Sequence, residues 1–355
     1  PIAGIISYQY SFTPEYYSRY KSIPLNNPKL IRRIEAVQSE FQKTGSKTAR
    51  GRMDQIPNLK RLTIDTGYKL YIDQFKNDLH KHNALISQAN RIENGEIFFS
   101  VDNTSGRFHS NVTNLSKELR PFLRIDGEHL VNIDLKNSQP YLSVILLTNP
   151  SKVSYMTVNP AFSMLLQSLK VSLNQDVKKY ISLVVSGELY EYLMKEFKKC
   201  GLDLSRDETK RQVLRILFAR NRTPKDPTNA QARRIFINSF PTVHRIFSKV
   251  RGSEKGDRTV NFKRFAILLQ SIESYLILEV ILKRIYRELP GVVAITIHDS
   301  VMTGILTNNV EAVRSIMIEE LTAFVGFAPK IKIEHKVNIN ELENKRIKEH
   351  RREIG

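Results

Sequence analysis

Residues 292–305 read VVAITIHDSVMTGI. The run Val292–Ile297 is apolar and β-branched and reads as a strand. Val301–Ile305 reads as a second strand, and His298-Asp299-Ser300 supplies polar groups for the turn between them. The stretch therefore predicts a β-hairpin with a carboxylate at its tip. Upstream, Pro290-Gly291 ends a long amphipathic helix expected from about Phe262 to Glu288. A second stretch has the same character: residues 131–140 read VNIDLKNSQP. His129–Leu135 alternates like a strand, carries Asp134 at its end, and leads into a helix expected over Pro140–Leu147. Two strand-end aspartates far apart in sequence can converge on one edge of a sheet.

Converging carboxylates repel and call for a cation between them. Magnesium suits such a site, because it binds carboxylates, water and substrate phosphate and needs few protein ligands. Two magnesium ions on a pair of carboxylates are the arrangement used for in-line phosphoryl transfer. A strand-terminal aspartate by itself is more often a cap or turn residue.

The chain has 355 residues, a net charge of +19 and 41% hydrophobic residues. That composition supplies a core and excludes disorder as the main state. Cys200 stands alone and forms no internal disulfide or cysteine-rich zinc site. No stretch of the sequence reads as a membrane span, because polar residues such as Gln270, Glu273 and Glu279 break the apolar run from Phe265 to Leu282. No targeting signal opens the chain, so a cytoplasmic location is expected. The first residue is Pro1, which fits an excised fragment.

The positive charge favours a polyanionic partner. It is densest between Arg206 and Arg234, where nine cations stand against three carboxylates. In that stretch Arg206, Lys210, Leu214 and Phe218 recur at i, i+4, i+8 and i+12 of an expected helix and form one stripe. Two cations followed by two apolar groups can take the phosphates and then the sugar and base of a nucleoside triphosphate. An amphipathic helix with a basic edge is the plainer alternative. There is no G-x-G-x-x-G, no P-loop and no zinc-protease pair.

These residues resemble the catalytic core of the single-subunit polymerases: the DNA polymerase A family (bacterial DNA polymerase I type) and the related phage-type RNA polymerases. Asp134 matches the motif A aspartate. Arg206, Lys210, Leu214 and Phe218 match the motif B helix, and His298-Asp299 matches the motif C pair. Thr104-Ser105-Gly106-Arg107, followed by Asn114-Leu115, resembles the Thr-x-Gly-Arg segment and Asn-Leu pair that grip the primer–template minor groove in family A. Gln270 resembles the glutamine of the helix before motif C. The motifs keep the family order from Thr104 to Ile339.

The resemblance implies an α+β right-hand polymerase: an antiparallel palm sheet, mostly helical fingers and a reduced thumb-like region. It divides the chain into a helical thumb-like region at 1–95, palm at 96–150 and 261–340, fingers at 151–260, and a charged tail at 341–355. It implies a DNA-templated DNA polymerase that extends a primer 3′-hydroxyl with dNTPs. Two Mg²⁺ ions, with Mn²⁺ as an alternative, would be held by Asp134, Asp299 and the Leu135 carbonyl. Arg206 and Lys210 would take the triphosphate, and Lys210 would protonate the leaving group. Leu214, Phe218, Gln139 and Leu135 would complete the nucleotide site. Arg107, Asn114, Gln270 and His298 would contact primer–template DNA.

Several positions depart from the family. Gln139 stands where a glutamate that helps exclude the ribose 2′-hydroxyl is usual. Phe218 replaces a tyrosine, Ala219 a glycine, and Phe262 and Ala266 an arginine and an asparagine. No 3′–5′ exonuclease region is apparent, so proofreading is not expected, and a processivity partner would suit a short thumb. The alternatives are an RNA polymerase or primase of the same fold, a non-catalytic DNA-binding derivative, and a His-Asp phosphohydrolase lacking its further ligands.

Overall fold

The computed structural model describes Pro28, Arg32 and residues 54–221, 223–252, 263–305 and 309–334. Residues 1–53 of the thumb-like region (Pro28 and Arg32 apart), the charged tail at 341–355, and Phe262, Arg222 and Asn308 lie outside the described residues.

The protein mixes helices with an antiparallel sheet. Its strands are β1 (Leu62–Ile64), β2 (Phe99–Val101), β3 (Phe108–Ser110), β4 (Leu123–Ile125), β5 (Glu128–Leu135), β6 (Ala294–Ile297), β7 (Ser300–Gly304) and β8 (Ile331–Glu334). The main sheet runs β1-β4-β5-β7-β6, with β8 also paired to β5, while β2 and β3 form a separate hairpin. The helices used below are α1 (Leu79–Glu93), α2 (Ser138–Ser143), α3 (Gln175–Val185), α4 (Leu189–Lys199), α5 (Arg206–Phe218), α6 (Pro227–Ser239), α7 (Pro241–Arg251), α8 (Arg264–Glu288) and α9 (Asn309–Val325).

β5 is the organising strand. β7 pairs with it over Leu130 to Asp134, and on its other edge β4 takes Glu128 and His129 while β8 takes Asn132 to Leu135. Leu130, Val131, Ile133 and Leu135 are buried. Each fully buried aliphatic side chain contributes about 1.5–3 kcal/mol. The free edge of β6 is covered from the N-terminal side of the chain. Gln55 Oε1 accepts from the Thr296 N–H at 2.9 Å, and Asn58 Nδ2 donates to the Ala294 carbonyl at 3.2 Å. An uncovered edge would offer unpaired backbone groups to another chain.

α8 begins at Arg264 in the described residues, takes π-helical hydrogen bonding over Tyr275–Ile281, and ends at Glu288 as the sequence indicated. It is long and apolar enough to cross a membrane by length and composition, which corrects the expectation that no segment is. The polar residues that break its apolar run leave few charges in it. Of its most apolar window, 61% is buried inside the protein, where Phe265, Leu269, Ile272, Ile281 and Ile285 are core residues.

The basic segment from Arg206 divides into structural and solvent-facing cations. α5 opens on a capping box between Ser205 and Glu208, with Asp207 and Glu208 in its first turn, where carboxylates suit the helix dipole. Arg233 on α6 is buried and donates to the Arg220 carbonyl at 3.1 Å, so it is not part of a phosphate-binding surface. Arg251, at the end of α7, is 1% exposed. It donates to the carbonyls of Ile216 and Leu217, to Asn221 Oδ1 at 2.9 Å and to Ser248 Oγ at 3.0 Å. One guanidinium thus holds the C-terminal carbonyls of α5. Arg251→Ala strands these buried acceptors and is expected to cost about 2–5 kcal/mol, read as a lowered denaturation midpoint at unchanged slope.

Candidate active site

The hairpin and the end of β5 meet. The β6–β7 turn consists of His298 and Asp299, closed by the Ile297–Ser300 pair and by Ser300 Oγ donating to the Ile297 carbonyl at 2.9 Å. His298 adopts φ +53°, a left-handed backbone conformation uncommon for a residue with a side chain. Because Ser300 stands opposite Asp134 in register, Asp299 arrives beside Asp134. Asn137 also has φ +53°, which turns the chain from β5 into α2 within three residues of Asp134. α2 is anchored by Tyr141, whose hydroxyl donates to the Phe327 carbonyl at 2.7 Å.

The two aspartates act on each other. Burial, then the charges of Asp299 and Glu334, push the Asp134 carboxyl up to about 7, against the pull of Lys210 and Lys332. Burial likewise raises Asp299, although a hydrogen bond from Ser138 and the charges of Lys210 and Arg107 oppose it. Lys210 therefore projects its charge onto both carboxylates from the exposed face of α5. Among the described residues no group of three or more His, Cys, Asp or Glu is placed to hold a metal, so the aspartates stand as a pair. Two repelling, half-buried carboxylates fit a magnesium ion that completes its shell with water and phosphate oxygens.

The remaining candidates divide by their partners. Arg206 pairs with Glu191 at 2.7 Å and lies 5.5 Å from the centre of the Tyr190 ring. Leu214 and Phe218 are half-buried further along the α5 stripe, and the Phe218 ring lies 6.3 Å from that of Phe265. Leu135 is in register with Ile331 and its side chain is in the core, so only its backbone is available to a ligand. His298 sits edge-on to His109 at 6.0 Å, and its Nδ1 is buried without a protein partner. Burial and the charges of Arg107, His109 and Arg120 lower His298 to about 4, so its ring is neutral near pH 7. Gln270 is half-buried on α8, one turn before Glu273. Asn114 is exposed after β3, where its N–H donates to the Ser110 carbonyl at 3.2 Å; no contact among the described residues joins it to the aspartates.

Glu273 is the residue that sequence reasoning missed. In sequence it is one of the polar interruptions of the α8 run, yet Phe265, Leu269, Glu273 and Ile277 follow one another at i+4 and all are buried. A carboxylate on the buried stripe of a helix was the available signal. Glu273 Oε1 accepts from Arg107 Nη2 at 2.6 Å and Nε at 2.9 Å. Gln139 Nε2 donates to Oε2 at 2.5 Å. Burial and the Asp299 charge nevertheless raise Glu273 to about 7. Arg107→Ala would leave this carboxylate buried and unpaired, and a loss of about 3–5 kcal/mol at pH 8 is expected in denaturant titration.

No protein-family model and no curated protein matches the chain. Among solved structures, the chain is similar to the POL domain of Pol1 from M. smegmatis, in a complex with DNA primer-template and dNTP. Identity is 12% and the TM-score 0.35, with 67% of this chain and 46% of that chain covered, so the chain spans less than half the length of this relative.

Proposed function

We propose that the protein is a template-directed nucleotidyltransferase, a DNA polymerase that extends a primer 3′-hydroxyl with nucleoside triphosphates. The observation that carries this reading is the convergence of Asp134 and Asp299. They come from distant segments to one sheet edge, with Asp134 held at about 7 and Lys210 acting on both. Carboxylates so placed are poor neighbours without a cation and good ligands with one. Bound Mg²⁺ on Asp134, Asp299 and the Leu135 carbonyl, in a two-ion arrangement, would lower the pKa of the attacking hydroxyl and neutralise charge on the phosphates.

The chain's own groups take the other roles. Lys210 lies on the exposed face of α5, where it can bind the β- and γ-phosphates and give a proton to the departing pyrophosphate. Arg206 adds a second cation at the mouth, and Leu214 and Phe218 offer an apolar surface to sugar and base. Arg107, whose charge acts on Asp299, and His298, which precedes it in the turn, would face the primer terminus and template, together with Gln270 and Asn114. In this reading 96–150 and 261–340 form the palm and 151–260 the fingers.

A labelled primer annealed to a homopolymer overhang tests the reading, with one nucleotide supplied at a time. Extension only by the nucleotide complementary to the overhang is expected. Extension that ignores the overhang, or binding of DNA with no extension, contradicts it.

A further inference from the structure

The register of β8 on β5 sets a row of side-chain pairs on one face of the sheet. Glu334 stands opposite Asn132, and Lys332 opposite Asp134. The ladder runs one step further, with the Lys136 N–H donating to the Lys330 carbonyl at 2.9 Å. Side chains on a strand repeat every second residue, so Lys136 and Lys330 continue the face that carries Asp134. The stems of the two lysines meet over Gly187, in the turn between α3 and α4. A β-carbon there would stand 3.3 Å from Lys136 Cδ and 3.5 Å from Lys330 Cδ. Like charges opposite one another across a strand pair destabilise it. Lys332 is paired with Glu334 at 3.0 Å, but among the described residues neither Lys136 nor Lys330 has an ion pair. The fold leaves their repulsion uncompensated.

A second observation marks the same corner. Asn137, next in the chain after Lys136, is 8% exposed, and its Nδ2 is buried without a partner. Buried polar groups without a partner are rare in native proteins. Two ammonium groups and an amide NH₂ all donate, and the ligand that answers all three is an anion rich in acceptor oxygens.

The place of the corner says which anion. The charge of Lys136 reaches Glu191, the carboxylate that holds Arg206 at 2.7 Å. Arg206 and Lys210, one turn apart on α5, are the cations proposed for the triphosphate. Arg107, proposed for the primer terminus, acts on Asp299 instead. With the α-phosphate at the aspartates, the β- and γ-phosphates extend toward α5 and away from the DNA. The Lys136–Lys330 corner lies on that side, where pyrophosphate departs.

We propose that Lys136, Lys330 and Asn137 form a pyrophosphate-binding site at the end of β5, which holds the leaving group of the phosphoryl transfer. This rests on the nucleotidyltransferase reading and adds a wall on the sheet to the cations of α5.

Titration calorimetry with inorganic pyrophosphate in Mg²⁺ tests it on the whole chain. The proteins are wild type, Lys136→Met, Lys330→Met and a control carrying both Lys178→Met and Lys249→Met, two exposed lysines of α3 and α7. Methionine keeps the stem over Gly187 and removes the charge. Lys136→Met and Lys330→Met are each expected to weaken pyrophosphate binding by about 10-fold, the size of one charge-assisted hydrogen bond. The control, although it loses one charge more, is expected to weaken it by less than about 2-fold. Without pyrophosphate both single variants should melt at or above wild type, because a like-charge contact is relieved. Binding as tight as wild type in both, or melting below wild type in both, overturns the proposal. A control that weakens binding as much overturns it too, since net charge would then explain the loss. Weakened primer–template binding with pyrophosphate binding intact assigns the lysines to DNA and likewise overturns it. Primer extension by wild type beside unchanged pyrophosphate binding in both variants sinks this inference alone. Pyrophosphate binding that needs both lysines, in a wild type that extends no primer, keeps the site and sinks the nucleotidyltransferase reading.

Discussion

Asp134→Ala and Asp299→Ala are each expected to lower Mg²⁺-dependent primer extension by at least about 10³-fold, equivalent to about 4 kcal/mol of barrier. Either change removes half of the carboxylate pair proposed to hold the metal. The same site predicts the opposite sign for stability in metal-free buffer. The Asp134 carboxyl is raised from its ordinary 3.8 to about 7, first by burial and then by Asp299 and Glu334. Its contribution to stability is therefore complete below about pH 4 and is lost as pH rises through about 7. Asp134→Asn, which cannot ionise, should match wild type at pH 4 and exceed it at pH 8 by about 2 kcal/mol, a figure reduced for partial exposure. Mg²⁺ should stabilise wild type and close that gap. Thermal melts across pH 4–8, with and without the ion, check this, and a gap independent of pH would contradict it.

Lys210→Ala is expected to slow single-turnover extension by about 10²–10³-fold, the range for removing one preorganised charge from a transition state. Arg206→Ala should cost only about 10-fold. Arg206 is already engaged by Glu191 at 2.7 Å and by the Tyr190 ring, so part of its charge is spent within the protein. Lys210 has no ion pair of its own among the described residues and acts on both aspartates. Equal losses, or a larger one at Arg206, would reverse the assignment of roles on α5.

The elements that carry the site were legible because their signals are local. The hairpin around His298-Asp299 follows from β-branched runs flanking a polar turn, and β5 from its alternation, and the structure has both. The α5 stripe follows from spacing alone. What the sequence could not give is pairing across distance. No local rule sets Asp134 opposite Ser300, ties Arg107 and Gln139 to Glu273, or sends Arg251 to the end of α5. Charge density was a poor guide for the same reason. Arg233 and Arg251 look like their neighbours in sequence but serve buried carbonyls, because a long side chain can turn inward wherever acceptors wait.

The most direct measurement is extension of a labelled primer–template by the wild-type chain in Mg²⁺ and in EDTA, beside Asp299→Ala with its folding verified by circular dichroism. The account predicts extension only by wild type and only with the metal. Folded wild type that fails to extend, or Asp299→Ala that extends as fast, would contradict it.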